Sequence, residues 1–481
     1  MKILVLNPPF LVDNFSRSAR WVAKSRGRVQ RHPDWLLIAV AVLERDGHRV
    51  KFIDGTAMNL KRGDVEKEAL LFSPELSILH TTTPTIYNDI SYAGFLKEKL
   101  GSKIVLIGPH VTVETEDTFS IAKGSADIIA RGEYDYILKD IARDKPLRDI
   151  SGISFMDGTK FVHNPDRAPI DNVNELPFPA WQHINPRWYY DAGKRFPFLT
   201  LISGRGCFGK CTFCRDTPLL YKRKLRLRDP RLVVDEIEYD YKMFPYIREI
   251  MFETDTFVAS GDHVRGVCEE ILKRKLKICF SCNTRVDMDL SLLPLMKKAG
   301  CRMLMTGFEF GTQSALDAVK KGITLEQSKK FCEAARKLKF TIHGCFMFGA
   351  PAETRESCRR TIDFAKSLPM DTVQFSGICA YPGTEIYNWV KEKGYLVPKG
   401  WTEWVGPDYE QTTLINYPQL AKAEIDAFID IGLREFYLRP TQIARMFFYI
   451  NNFSDLVRKI YGLRQFTDYF MKSKKRKGNG K

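Results

Sequence analysis

Three cysteines fall within eight residues of a 481-residue chain, in the run Gly204-Arg205-Gly206-Cys207-Phe208-Gly209-Lys210-Cys211-Thr212-Phe213-Cys214. The spacing is C-x3-C-x2-C. Three thiolates on one short loop can converge on a single metal centre, and soft thiolates select zinc or iron–sulfur. A structural zinc wants a fourth Cys or His, yet His183, His263 and Cys268 stand at no finger-like spacing from the loop. Three ligands on a four-iron cluster leave one iron open, and an open iron can do chemistry. None of the eleven cysteines precedes Cys207, and the others are scattered from Cys268 to Cys379. They read as reduced thiols, not as a disulfide framework. Cys279 and Cys282 lie in a strand pattern that sends them to opposite faces, so they read as buried thiols.

The elements that must position this loop are alternating strands and helices. From Phe198 to about 395 the strand candidates are Leu199–Ile202, Glu249–Phe252, Lys277–Ser281, Met303–Phe308, Thr341–Phe348 and Thr372–Ile378, separated by helical patterns. Six such units suit an incomplete parallel (β/α)6 barrel over 196–395, with its active site at the strand C-termini. The cysteine run follows the first strand. Residues 1–145 alternate in the same way, with strands at Lys2–Leu6, His48–Ile53, Leu76–Thr83, Lys103–Ile107 and Ala126–Ala130. That pattern predicts a flavodoxin-like, Rossmann-type α/β domain with ligands at the carboxyl ends of its strands. Between them, 146–195 is polar, contains prolines and reads as a linker. Residues 396–481 read as a helical, aromatic, basic region with a disordered end.

Composition excludes several classes. With 44% hydrophobic and 27% charged residues the chain is an ordinary folded one. Its longest apolar run, Trp35 to Leu43, is nine residues, and a membrane-spanning helix needs about 20. The first residues are too short an apolar stretch for a signal peptide, so the cytoplasm is the expected compartment. Net charge is +16, and from Arg434 onward twelve Lys or Arg face only Glu435, Asp455 and Asp468. A second cationic stretch holds Arg17, Arg20, Lys24, Arg26, Arg28 and Arg31. Such blocks attract phosphates, anionic lipid or nucleic acid, or are simply solvated.

The triad and the strand-end motifs after it resemble the radical S-adenosylmethionine (radical SAM) superfamily. The resemblance implies a 4Fe–4S cluster on Cys207, Cys211 and Cys214 whose open iron chelates SAM. One electron, from a donor such as ferredoxin or flavodoxin, then cleaves SAM to a radical that abstracts hydrogen from substrate. Phe213 matches the family's aromatic residue before the last cysteine. Phe252-Glu253-Thr254-Asp255-Thr256-Phe257 resembles the contact to the SAM ammonium, through Glu253 and Asp255. Asn283-Thr284-Arg285 resembles the contacts to the SAM carboxylate and ribose. Glu309 and Gly311, in Gly307-Phe308-Glu309-Phe310-Gly311, resemble the ribose site, and Phe348, in Phe346-Met347-Phe348-Gly349-Ala350-Pro351, the strand whose backbone holds adenine.

A flavodoxin-like domain ahead of such a barrel is similar to the cobalamin (B12)-binding subgroup, nearest to hopanoid- and lipid-biosynthesis members. The resemblance places cobalamin contacts at Asn7 and Pro8, Thr56, Thr82 and Thr83, Gly108, Pro109, His110 and Thr112, and Gly132 and Glu133. The Asp-x-His-x-x-Gly that supplies a histidine to cobalt elsewhere is absent after the first strand. Some members keep this domain without the cofactor.

Three readings compete. The first is a radical SAM enzyme that functionalises a carbon of a hydrophobic, lipid- or isoprenoid-like substrate. On this reading the basic, aromatic tail from Phe436 to Leu463 makes peripheral contact with a membrane. The alternative use of that tail is packing on the barrel. The second reading is an RNA-modifying enzyme, disfavoured because the first domain carries no further cluster cysteines and no RNA-binding module follows the barrel. The third is a non-catalytic carrier, which leaves the SAM motifs unexplained.

Overall fold

The computed structural model describes residues 1–25, 27–448, 456 and 460. The first sheet comprises β1 (Lys2–Asn7), β2 (Arg49–Asp54), β3 (Leu76–His80), β4 (Lys103–Ile107), β5 (Ile128–Ala130), β6 (Ile153–Asp157) and β7 (Lys160–His163). Their order is β2-β1-β3-β4-β5-β6-β7, and the first five are parallel. This is the flavodoxin-like order, whose topological switch lies between β1 and β3. Ile3 to Leu6 are fully buried because helices cover both faces. One face packs on Leu37, Val40, Ile137 and Ile141. The other packs on Val65, Ala69, Ala93, Leu96 and Ala122.

The expected linker is more than a linker. Within 146–195, β6 and β7 form a hairpin that continues the sheet antiparallel. The two-residue turn Gly158-Thr159, with Gly158 at φ +61°, supplies the left-handed residue such a hairpin uses. Farther on, Trp181 and Tyr189 sink into the core that both domains share.

The barrel strands are β8 (Phe198–Leu201), β9 (Glu249–Phe252), β10 (Phe280–Thr284), β11 (Cys301–Glu309), β12 (Thr341–Phe348) and β13 (Thr372–Gly377). All pair in parallel and in sequential order, which leaves β8 and β13 as open edges. On β12, Ile342, Gly344, Phe346 and Phe348 turn outward to the helices, while His343, Cys345 and Met347 face the lumen. Cys282 is buried within β10 as expected, whereas Cys279 precedes the strand and is only partly buried.

The tail begins by docking on the barrel. Gly432, in the helix Lys422–Tyr437, lies against Phe375 of β13. In the next helix, Pro440–Phe448, Gln442 and Arg445 donate to the carbonyls of Asp371 (2.6 Å) and Met370 (2.7 Å). Among the described residues no helix is long and apolar enough to cross a membrane. The basic end of the tail, Lys472 to Lys477, and Arg26 of the first cationic stretch lie outside the described residues.

Candidate active site

The cysteine loop leaves β8 at the barrel mouth. Gly206, at φ +88°, has no room for a side chain, since a Cβ there would sit 2.1 Å from the Lys224 carbonyl oxygen. Its N–H donates to Asp255 (3.2 Å), and Thr256 Oγ1 lies 3.4 Å from the Cys207 sulfur. The loop is therefore tied to the carboxyl end of β9. Cys207 accepts the Gly209 N–H at 3.3 Å, and Cys214 lies 3.4 Å from Thr217 Oγ1. Burial raises the Cys211 thiol and pushes Cys214 up to about 11, so ligation there releases protons. Among the described residues no three Cys, His, Asp or Glu close on one point as a mononuclear ion requires. A four-iron cluster asks for no such point, because each thiolate binds a separate iron.

The predicted SAM residues gather at this mouth, with two exceptions. Glu253 and Asp255 follow β9, and each faces an arginine from the first domain: Arg31 at 3.3 Å and Arg20 at 3.7 Å. Asn283, on β10, donates to the Thr254 carbonyl (3.2 Å). Arg285 grips Asp287 at 2.9 and 2.8 Å and lies over the Phe208 ring beside the cysteines. Glu309 ends β11 at φ +65°, where the β11–β12 register also shifts. A non-glycine residue held there stores strain that clusters at functional sites. Its carboxylate pairs with buried Lys321 at 2.6 Å, a residue that the sequence did not single out. Phe213 is partly buried against the core. The exceptions are Gly311, whose N–H is taken by Thr361 on the outer helix layer (2.9 Å), and Phe348, whose ring stacks outward on Phe375. Strand alternation turns the Phe348 side chain into the core, so its backbone alone is left toward the mouth.

An open pocket lies between the domains, with about 670 Å³ of free space that includes open solvent. Thr82, Gly108, Pro109, Gly132 and Glu133 line it from the first domain, and Arg205, Arg215, Asp216 and Tyr221 from the cysteine segment. Gly108, at φ +122°, brings its backbone so close that a Cβ would lie 2.4 Å from the Thr81 carbonyl oxygen. The sequence missed Arg17, Trp35 and His80 in this wall. Arg17 is fully buried at the switch point, bonded to Asn7 (2.9 Å), the His80 carbonyl (2.6 Å) and Asp89 (2.8 Å), with Nη1 unpartnered. The only signal for it was the cationic stretch.

Other predicted cobalamin residues stand behind the wall. Asn7 and Thr56 both bond Asp54, and Pro8 precedes the Pro9 that packs on Gly55. Thr112 ties the Gly108 carbonyl to the Gly132 N–H. His110 is buried against Trp401, with Nδ1 3.3 Å from Thr83 Oγ1 and Nε2 unpartnered; burial lowers its pKa to about 3, so it is neutral. Glu133 lines the cavity, but its oxygens are taken by Arg205, Arg226 and the Ile170 N–H, all at 2.7 Å. Its role in this structure is to join the domains.

Residues 201–365 match the model of the Radical SAM superfamily. An uncharacterized methyltransferase of Pyrococcus horikoshii is 28% identical over 96% of this chain and 98% of its own length. The bacteriochlorophyllide d C-8(2)-methyltransferase of Chlorobaculum tepidum is 26% identical over 70% of this chain and 75% of its own. Among solved structures, the radical SAM methyltransferase TsrM from Kitasatospora setae, with cobalamin and a 4Fe–4S cluster bound, aligns with a TM-score of 0.71. That alignment covers 97% of this chain and 99% of TsrM at 15% identity. Residues 201–365 are a radical SAM domain, and the chain as a whole has the two-domain α/β fold of the TsrM structure.

Proposed function

We propose that this enzyme binds cobalamin in the interdomain cavity and a 4Fe–4S cluster on Cys207, Cys211 and Cys214, and that it methylates, or forms a carbon–carbon bond at, an unactivated carbon. One observation carries the reading. Arg215 and Asp216, the two residues after Cys214, share a cavity wall with Thr82, Gly108 and Gly132 at the carboxyl ends of the first sheet. A corrin held there lies beside the cluster loop. The lining fits: Arg17 keeps a buried unpartnered N–H, and Trp35, Tyr134 and Tyr221 stand in the wall with Gly108 and Gly132. The likeness to methyltransferases points the same way.

When bound, the cluster supplies an electron from a ferredoxin- or flavodoxin-like donor, SAM supplies the radical, and cobalamin carries the methyl group. The chain's own work is positional. Glu253 and Asp255 offer acceptors to the SAM ammonium, and Asn283 and Arg285 meet its carboxylate. Glu309, steered by Lys321, meets the ribose diol. His110 is neutral and enclosed, so it takes no part in charge. Anaerobic reconstitution with hydroxocobalamin, desalting and optical spectroscopy test the reading. Corrin absorbance is expected, and a protein showing iron–sulfur absorption alone favours a cobalamin-free radical SAM enzyme.

The finer part of the proposal is a hydrophobic, lipid- or isoprenoid-like substrate met at a membrane surface. It rests on the basic aromatic tail of the sequence and on exposed Leu438 and Ile443 in its docked portion. Each basic residue near anionic lipid contributes about 1 kcal/mol. Changing Lys472, Lys474, Lys475, Arg476 and Lys477 to Glu should weaken binding to anionic vesicles and not to neutral ones. Binding to RNA instead of vesicles turns the assignment to the RNA-modifying alternative.

A further inference from the structure

The barrel lumen holds a ladder of cations that neither the cluster, SAM nor cobalamin occupies in the proposed function. The open side between β8 and β13 is crossed by the N-terminal loop. His32 packs on Phe198 at the β8 edge, and the N–H of Val22 donates to the Tyr381 hydroxyl beyond β13 (2.9 Å). From this loop Arg31 enters the lumen, 3.4 Å from Asp191 and 3.3 Å from Glu253, and Arg20 stands at the rim, 3.7 Å from Asp255. The turn Asp191–Arg195 forms the floor, with the Arg195 N–H on Glu249 (2.7 Å) and the Gly193 carbonyl on Arg302. There Lys194 is 1% exposed, and the hydrogen-bond partner of its ammonium among the described residues is the Met305 sulfur, at 2.6 Å.

Lys194 and Arg31 are poorly satisfied, whereas the Arg20 side chain at the rim is half exposed to water. A thioether is a weak acceptor, and a buried ammonium without a better one is costly. Burial lowers the Lys194 pKa against the pull of Asp191 and Glu249. Tight charge-assisted pairs run about 2.7–2.9 Å. Arg285–Asp287 in this same mouth reaches 2.8 Å, whereas Arg20 and Arg31 stand back from every carboxylate they face. Neighbouring His343 donates no charge, because burial pushes it down to about 4. If Glu253 and Asp255 take the SAM ammonium, Asp191 and Glu249 are left to balance Arg20, Arg31 and Lys194, and Glu249 is already paired with Arg302.

We propose that Lys194 and Arg31, with Arg20 at the rim, anchor an anionic oxygen group of the substrate, a carboxylate or a phosphate, inside the barrel. Met305, Cys345 and Met347 supply the apolar wall beside it, so the substrate is an amphiphile with a charged handle, not a neutral lipid. This deepens the proposed function and rests on its assignment of Glu253 and Asp255 to SAM.

Isothermal titration of the reconstituted full chain with inorganic phosphate and, separately, with butyrate tests it, each with and without SAM. Saturable binding of one probe is expected, persisting when SAM is bound and weakened about ten-fold or more in Lys194→Met and in Arg31→Gln. The probe that binds tells phosphate from carboxylate. No binding at tens of millimolar, equal binding by the variants, or loss of binding on adding SAM overturns the proposal; the last result assigns the cations to the SAM carboxylate. Arg31 lies on a loop, so Arg31→Gln decides the matter should Lys194→Met fail to fold. SAM cleavage by the wild type without substrate reports separately on the radical SAM reading. Its absence overturns that reading whatever the anion titration shows.

Discussion

Arg205, two residues before the first cluster cysteine, clasps Asp135 of the other domain with both guanidinium nitrogens, at 2.6 and 3.1 Å, and both side chains are 3% exposed. Glu133 takes a further bond from Arg205 and one from Arg226, so two acids and two arginines form a chain of ion pairs at the domain boundary. Breaking a buried pair from one side leaves an uncompensated charge. Arg205→Met should therefore cost about 3–5 kcal/mol of stability in urea unfolding. A loss under about 1 kcal/mol, the range of surface pairs, would show that water reaches the boundary.

The cluster assignment predicts that Cys207, Cys211 and Cys214 act together. Replacing all three by Ala should remove the iron taken up on anaerobic reconstitution and the 5′-deoxyadenosine formed from SAM. Retained 5′-deoxyadenosine in the triple variant would falsify the assignment.

Gly108 sits where the backbone meets the interdomain cavity at positive φ, with no space for a Cβ. Gly108→Trp should abolish corrin absorbance after desalting while iron content stays at the wild-type level. Gly108→Ala should already weaken uptake, because backbone strain of this kind costs roughly 1–3 kcal/mol. Full corrin uptake by the Trp variant would place cobalamin elsewhere.

Glu353 closes the loop after β12. One carboxylate oxygen accepts the N–H groups of Gly349 (2.6 Å) and Ala350 (2.8 Å), the other is buried without a partner, and burial pushes the pKa up to about 7. The folded state thus holds its proton above the ordinary value of 4.5. Below that value the group has no effect on stability. As pH rises from there to about 7 it becomes increasingly unfavourable, and above about 7 the penalty is constant. Glu353→Gln keeps an acceptor for both N–H groups and cannot ionise. Urea unfolding should find the variant gaining roughly 1–3 kcal/mol on wild type at pH 8 and little at pH 4. An equal difference at both pH values would contradict the buried-carboxyl argument.

Cysteine spacing and βα alternation were enough to point to the metal loop and to the repeat that presents it. The cysteine spacing is local, so it names a metal loop without any fold. The βα alternation places that loop and the motifs around Glu253, Asn283 and Glu309 at successive strand ends of one barrel mouth. Phe348 and Gly311 were legible as strand-end positions, but which way each turned depended on packing against Phe375 and Thr361.

Only the tertiary structure decided what crosses between domains. The loop from Phe10 to Pro33 has no helical or strand period, so nothing local says that it seals the barrel gap, buries Arg17 at the sheet switch and sends Arg20 and Arg31 to Asp255 and Glu253. The same holds for Glu133, read from its turn as a cofactor contact and found bonded to Arg205 and Arg226, 72 and 93 residues away. Periodicity and spacing report which face of one element is apolar or reactive. Which distant charge meets it is settled when the domains dock, because a buried charge keeps only the partner that docking brings within reach.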